Sequence, residues 1–184
     1  MKHFISVNDP EIVRLLNEGG IGILRTDTLY GVVAKASDES AVQRVYELKE
    51  RAEHKSPIVL IGNQTQIVDM VSPTLEARLG EVWPGPVSVI IPSTQAPLWI
   101  RRGNASVAYR LPNNDELRRL IEQTGPLIAP SANPEGLVPA MNIEQAEAYF
   151  GDNVDFYIDG GMVTEAAPSQ LIRISNDGEV NRLR

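Results

Sequence analysis

Apolar residues recur along this chain with two periods, and the alternation between them predicts most of its elements. The helical period appears first after Asn8-Asp9-Pro10, a cap followed by a proline at the first helical position. Ile12, Val13, Leu15 and Leu16 supply the inward face of that helix, and Gly19-Gly20 ends it. Residues 21–25 read as a short buried strand. Ser37 or Asp38 caps a second helix over 39–50, with Ala41, Val45 and Leu48 as its inward stripe. A strand at 57–61, helical pieces near 64–70 and 73–82, and strands at 87–91 and 107–111 follow. Between them Trp83-Pro84-Gly85-Pro86 must turn, because two prolines and a glycine leave no regular alternative. A helix over 114–123 buries Leu117, Leu120 and Ile121 and stops at Gly125-Pro126. A strand at 127–129 opens into Pro130-Ser131-Ala132-Asn133-Pro134. A helix at 143–149 starting from Asn142, then strands at 155–158, 170–174 and 179–183, complete the pattern.

Strands and helices interleave with no internal repeat and no low-complexity linker, so residues 1–184 are expected to form one α/β domain around a mixed sheet. The last strands have no helix between them, which makes part of that sheet antiparallel. A chain of 184 residues suits a single domain, and at this size about two thirds of the unfolded surface can be buried.

Composition narrows the function classes. Hydrophobic content of 42% with 22% charged residues is that of a globular chain. No apolar run approaches the roughly 18 residues that cross a membrane, and the N-terminal stretch lacks the features of a signal peptide, so the expected location is cytoplasmic. Cysteine is absent, which excludes disulfides, thiolate catalysis and cysteine-ligated zinc. The net charge of −7 argues against a broad duplex-binding surface. Cations gathered locally in an acidic chain point instead to a small anionic ligand.

Such a gathering lies between residues 26 and 62. Thr26, Asp27, Thr28 and Tyr30 follow the first strand, and Lys49, Arg51, His54 and Lys55 precede the next. Hydroxyls at one strand end beside clustered cations suit an anionic substrate. The standard phosphate loops are missing: there is no G-x-x-x-x-G-K-[ST], and Gly20-Ile21-Gly22 precedes a strand instead of opening a helix. Side chains must then hold any phosphates, with Lys49 and Arg51 foremost. The plainer reading of these two is a helix C-terminus favoured by the macrodipole, with Glu47 and Arg51 as an i,i+4 pair. Residues two apart on a helix point some 200° apart, so both reach one ligand only if the helix ends near Glu50. Lys55 and His54, taken alone, are solvated loop residues. Thr26 and Thr28 alternate in an extended segment and so share a side, with Asp27 on the other; taken alone, β-propensity and turn capping explain them better. Tyr30 is otherwise a core aromatic. Ser106, Ala108 and Arg110 share one strand face, while Ser131 and Asn133 lie just past a strand, where α/β proteins bind ligands. Ser169, after Asp159-Gly160-Gly161 and Pro168, is weak by itself. With only His3 and His54 present, a Ser-His triad and a histidine metal site both lack support.

Taken together, these pieces resemble the YrdC family of threonylcarbamoyl-AMP synthases. The family's Thr-acid-Thr-x-Tyr-Gly, Lys-x-Arg, Trp-Pro-Gly-Pro, Ala-x-Arg, Ser-Ala-Asn, Asp-Gly-Gly and late serine appear here in order. They are residues 26–31, 49–51, 83–86, 108–110, 131–133, 159–161 and Ser169. The resemblance implies a single twisted α/β domain with a large, positively lined cavity. It implies a reaction in which L-threonine, bicarbonate and ATP, with Mg²⁺, give threonylcarbamoyl-adenylate and pyrophosphate. A partner transferase then passes the threonylcarbamoyl group to an adenosine of tRNA, and a transient contact with the tRNA itself stays open. Carried over, Lys49, Arg51, Lys55, Ser106, Ser131 and Asn133 hold ATP, with Arg184 as the late nucleotide-binding arginine and Lys49 and Arg51 as the catalytic cations. Thr28, Tyr30, Arg110, Ala129 and Ser169 hold threonine. Departures from the pattern are Arg25 and Ala52 where proline is usual, Pro139 where a serine is expected, and Gln170 after Ser169. No counterpart of the longer members' C-terminal domain follows Arg184. Two rival readings remain: a non-catalytic RNA- or nucleotide-binding module, and a relative that adenylates carbamate for another acceptor.

Overall fold

A computed structural model describes residues 1–164 and 167–184. The elements run β1 (Lys2–Phe4), α1 (Pro10–Asn17), β2 (Gly22–Arg25), β3 (Tyr30–Lys35), α2 (Glu39–Leu48), β4 (Ile58–Leu60), α3 (Pro73–Val82) and β5 (Val87–Pro92). They continue with α4 (Leu98–Arg101), β6 (Ser106–Arg110), α5 (Asp115–Thr124), β7 (Leu127–Ile128), α6 (Ile143–Phe150), β8 (Phe156–Ile158), β9 (Gln170–Ile174) and β10 (Val180–Arg182).

Side-chain caps start five of the helices. Asp9 accepts from the Glu11 amide, Asp38 from Ala41, Ser72 from Leu75, Asn114 from Leu117 and Asn142 from Gln145. Each satisfies one of the orphan amides of a first turn. At the end of α1 the Gly20 amide reaches back to Leu15 and the Gly19 amide to Leu16, the paired bonds of a Schellman ending, with Gly19 at φ +83.

All ten strands of the described residues join one sheet in the order β1-β8-β2-β3-β7-β4-β6-β5-β9-β10. It is mixed, as expected: β1/β8, β2/β8, β4/β6 and β5/β9 run parallel, and the remaining pairs antiparallel. The pleat of β3 divides the core. Val33 packs with α1 and α5 residues such as Leu16, Leu117 and Ile121, whereas Tyr30, Val32 and Ala34 face a larger cluster with Val42, Val45 and Tyr46 of α2. Each such side chain, taken out of water, contributes about 1.5–3 kcal/mol.

Sequence reasoning passed over β3, and also β1 and α4. Residues 30–34 are buried on both faces of the sheet, so β3 carries no polar alternation to betray it. Near 64–70 the chain makes only a short 3-10 turn, Gln64–Gln66. The second helix ends at Leu48, and the expected Glu47–Arg51 pair does not form; the reason lies at Glu50 and bears on the site.

Candidate active site

Strand β3 meets the segment after β7 at its N-terminal end. The Val32 amide donates to Pro130 O at 2.9 Å, the Ala132 amide to Tyr30 O at 2.8 Å, and Gly31 bridges Ser131. Beside this junction opens a cavity of about 490 Å³. Its wall brings together Thr28, Tyr30, Arg51, Arg110, Ala129, Ser131, Ser169 and Arg184, from segments far apart in the chain. Leu29, Ile58, Val138, Pro139 and Met141 add apolar surface. Three arginines and no side-chain carboxylate stand among the described lining residues, so the wall offers an anion positive charge.

The Thr26 hydroxyl is the hub of one end. It donates to Leu29 O at 2.8 Å, lies 3.1 Å from the Thr28 hydroxyl, accepts the Thr28 amide at 3.1 Å, and accepts Arg110 Nη2 at 3.2 Å. Thr26 and Thr28 both reach the cavity, as their alternation implies. Asp27 goes the other way: its Oδ2 accepts the Asn113 amide at 3.0 Å and its Oδ1 lies 3.3 Å from Arg110 Nη2. Both partners of that ion pair are about 95% buried, with side-chain exposures of 4% and 5%. Burial lowers the Arg110 guanidinium below its ordinary range, and Asp27 opposes the shift. Arg110 Nε is buried with no partner among the described residues, which leaves one donor of the guanidinium unspent.

Tyr30 is more than a core aromatic. Its hydroxyl donates to Gly161 O at 2.8 Å and accepts the Gly160 amide at 2.9 Å, fixing the Asp159-Gly160-Gly161 turn against the cavity. Burial raises its pKa. Arg25 caps the same turn by donating to Gly160 O at 2.9 Å, so its cation is not in the cavity wall. A Cβ at Gly160 would stand 2.6 Å from that of Arg25, which is why no larger residue fits. Across the cavity Ser169 is buried with its hydroxyl 2.9 Å from that of Ser88, and its carbonyl accepts Arg184 Nη2 at 3.2 Å.

At the end of α2, Glu50 stands at φ +52. Its amide donates to Glu47 O and the Arg51 amide to Tyr46 O, a second Schellman ending with glutamate where glycine is usual. The helix unwinds where a shared ligand would require it to, and Lys49 and Arg51 part. Arg51 reaches the cavity, its guanidinium 5.7 Å from the Tyr46 ring centroid and bonded to Lys55 O and Ser56 O. Lys49 turns inward, 2% exposed, and its Nζ donates to Ser131 O and Asn133 O. Burial, with the nearby Arg51, pushes its pKa down to about 7.

Eight expected site residues therefore share the cavity, and four stand off its wall. Lys49 lies beneath the loop of residues 131–135. Asn133 is buried in that loop, donating through Nδ2 to Pro134 O and Leu137 O. Lys55 is half exposed and paired with Glu135, which also accepts the Ala52 amide at 2.7 Å. Ser106 starts β6, four residues before Arg110, opposite Pro92. Sequence reasoning did not pick out Thr26 as the hub, Asp27 as the partner of Arg110, Ser88 or Glu135. The first two had a signal in the Thr-acid-Thr triplet; the others act through tertiary contacts that leave no local pattern.

Known proteins resemble this chain in sequence and in fold. A threonylcarbamoyl-AMP synthase of Marinobacter nauticus is 33% identical over 162 residues, 85% of this chain and 85% of that protein. Another, of Stutzerimonas stutzeri, is 33% identical over 177 residues, 94% of this chain and 95% of that protein. The crystal structure of P. abyssi Sua5 complexed with L-threonine superposes on 100% of this chain with a TM-score of 0.87 at 27% identity. This chain spans 56% of that Sua5, little more than half its length. The family model described as Telomere recombination, Sua5/YciO/YrdC, matches residues 14–184. The chain belongs to the Sua5/YciO/YrdC family.

Proposed function

We propose that this chain is an ATP-dependent threonylcarbamoyl-AMP synthase, acting as one domain in the cytoplasm and supplying an early step of tRNA modification. The observation that carries the reading is the cavity, with no side-chain carboxylate among its described lining residues, into which Arg51, Arg110 and Arg184 converge from three distant segments. Threonine's amine captures CO2 from bicarbonate to give an N-carboxylate. One oxygen of that carboxylate attacks the α-phosphorus of ATP, and pyrophosphate leaves. Two anions must approach each other, and fixed guanidinium groups offset their repulsion without reorganising at the moment of reaction.

Arg110, fixed by Asp27 and Thr26, meets threonine's carboxylate, with Thr28, Tyr30, Ala129 and Ser169 around it. Arg51 and Arg184 face the phosphates, and Ser131 faces the nucleotide. Among the described residues no group of three or more histidine, aspartate or glutamate side chains could hold a metal. Asp27, behind Arg110, is committed to Arg110 and Asn113. Mg²⁺ would therefore arrive on the triphosphate, and these side chains do not fit it. A downstream transferase takes the product. No described helix is long and apolar enough to cross a membrane.

Mass spectrometry of products from ATP, threonine and bicarbonate tests the reading. Threonylcarbamoyl-adenylate with equimolar pyrophosphate is expected. Pyrophosphate released with carbamoyl phosphate and without threonine would make the chain a carbamate-adenylating relative. Nucleotide binding with no release under either condition would make it a binder.

A further inference from the structure

We infer that Lys49 is a positioning residue, which fixes the loop of residues 131–135 so that the Ser131 hydroxyl meets the nucleoside end of the nucleotide as a hydrogen-bond acceptor. The inference rests on the nucleotide-binding reading above and deepens it. Lys49 is 2% exposed and lies off the cavity wall, so no phosphate oxygen reaches its Nζ in this arrangement. Its Nζ instead donates to the carbonyls of Ser131 and Asn133, while the Glu135 amide donates back to Lys49 O at 2.8 Å. One residue thus ties three positions of the loop. An amine retains two N–H donors and an ammonium has three, so both carbonyls stay bonded in either protonation state.

The consequence is a fixed polarity at Ser131. Asn133 Nδ2 is spent on Pro134 O and Leu137 O, at 2.9 and 2.8 Å, which turns Oδ1 toward Ser131. The Ser131 hydroxyl donates to that Oδ1 at 2.6 Å. Its one proton is committed inward, and what remains for the cavity is lone pairs. A phosphate oxygen offers no donor to them; a ribose hydroxyl or an exocyclic amine does. The nucleoside therefore lies against Ser131, and the phosphates against the arginines.

Lys49→Met and Ser131→Ala test this by calorimetry with ATP, AMP and inorganic pyrophosphate, alongside amide hydrogen exchange of the ligand-free proteins. Each variant is expected to weaken ATP and AMP equally, by about tenfold for one lost ligand contact, with pyrophosphate affinity unchanged. The double variant should be no weaker than either single one. In Lys49→Met, exchange should quicken at Ala132 and Ala140, whose amides close this loop on Tyr30 O and Ala132 O. Pyrophosphate weakened in Lys49→Met with exchange unchanged would make Lys49 a direct phosphate ligand and overturn the inference. So would unchanged nucleotide affinity in Ser131→Ala, which decides the question even where Lys49→Met does not fold. If the wild-type protein bound no nucleotide, the proposed function would fail, while the exchange result would still decide the role of Lys49 in the loop.

Discussion

The Arg110–Asp27 pair gives the sharpest quantitative test, because burial makes its energetics one-sided. At 3.3 Å and an effective dielectric of about 20, the attraction is about 5 kcal/mol. That gain is set against the desolvation of both charges, so the pair adds little net stability. Removing one partner is different: the other charge stays buried, at a cost of about 3–5 kcal/mol. Arg110→Met and Asp27→Asn should therefore each lose several kcal/mol, a large share of the roughly 5–15 kcal/mol a domain possesses. At about 2–4 °C per kcal/mol, Tm should fall by about 6–20 °C. The double variant should lose less than either single one or only marginally more, since Met and Asn leave no buried charge. Urea unfolding followed by the fluorescence of Trp83 and Trp99 measures this, with unchanged m-values as the check that one transition is compared throughout. Single variants within about 1 kcal/mol of wild type, or additive losses in the double variant, would refute the argument. Arg110→Met should also weaken threonine far more than ATP in a pyrophosphate-release assay.

Arg51→Ala should lower pyrophosphate release by about 10²–10³-fold with the urea midpoint unchanged; equal turnover would remove Arg51 from the site. Tyr30→Phe strips the partner from the Gly160 amide and should lose about 1–3 kcal/mol by urea unfolding. Gly160→Ala sets a methyl against the Arg25 Cβ and should lose about 1–3 kcal/mol by overpacking, with Arg25→Gly, which removes that Cβ, restoring part of it. The depressed Lys49 pKa makes stability depend on pH. The unfolded chain holds that proton up to about 10.5 and the folded chain only to about 7, so stability should rise as pH increases between those values. Between pH 7 and 9.5 the rise should reach up to about 3 kcal/mol, and urea midpoints in Lys49→Met should lack it. Tyr109 and Tyr157, raised to about 12, titrate above this window.

What could be read from the chain was local. The caps at Asp9, Asp38 and Asn142 and the glycine ending of the first helix are short-range chemistry, and they stand where they were expected. The mixed sheet followed from the interleaving of elements. The gathering of Thr28, Arg51, Arg110, Ser131 and Ser169 was legible because each sits at or beside an element's end, where α/β folds assemble sites from distant segments. Strand β3 was not, because burial on both faces erases alternation. Nor was the inward turn of Lys49: its spacing from Arg51 fixed only that the two diverge, and the carbonyls that hold it lie 82 and 84 residues away. Lys55 looked like part of the cation cluster, but Glu135, remote in sequence, claims it.

The backward-coiled peptide at Glu50 sets an unusual rule for sequence drift in this protein. Its carboxylate has no described hydrogen bond, yet a left-handed residue with a β-carbon is disfavoured by about 1–2 kcal/mol. In a saturation library glycine and asparagine should raise the urea midpoint above that of the natural residue, while valine and isoleucine should give the lowest midpoints. At that one place evolution has freedom of charge and almost none of shape.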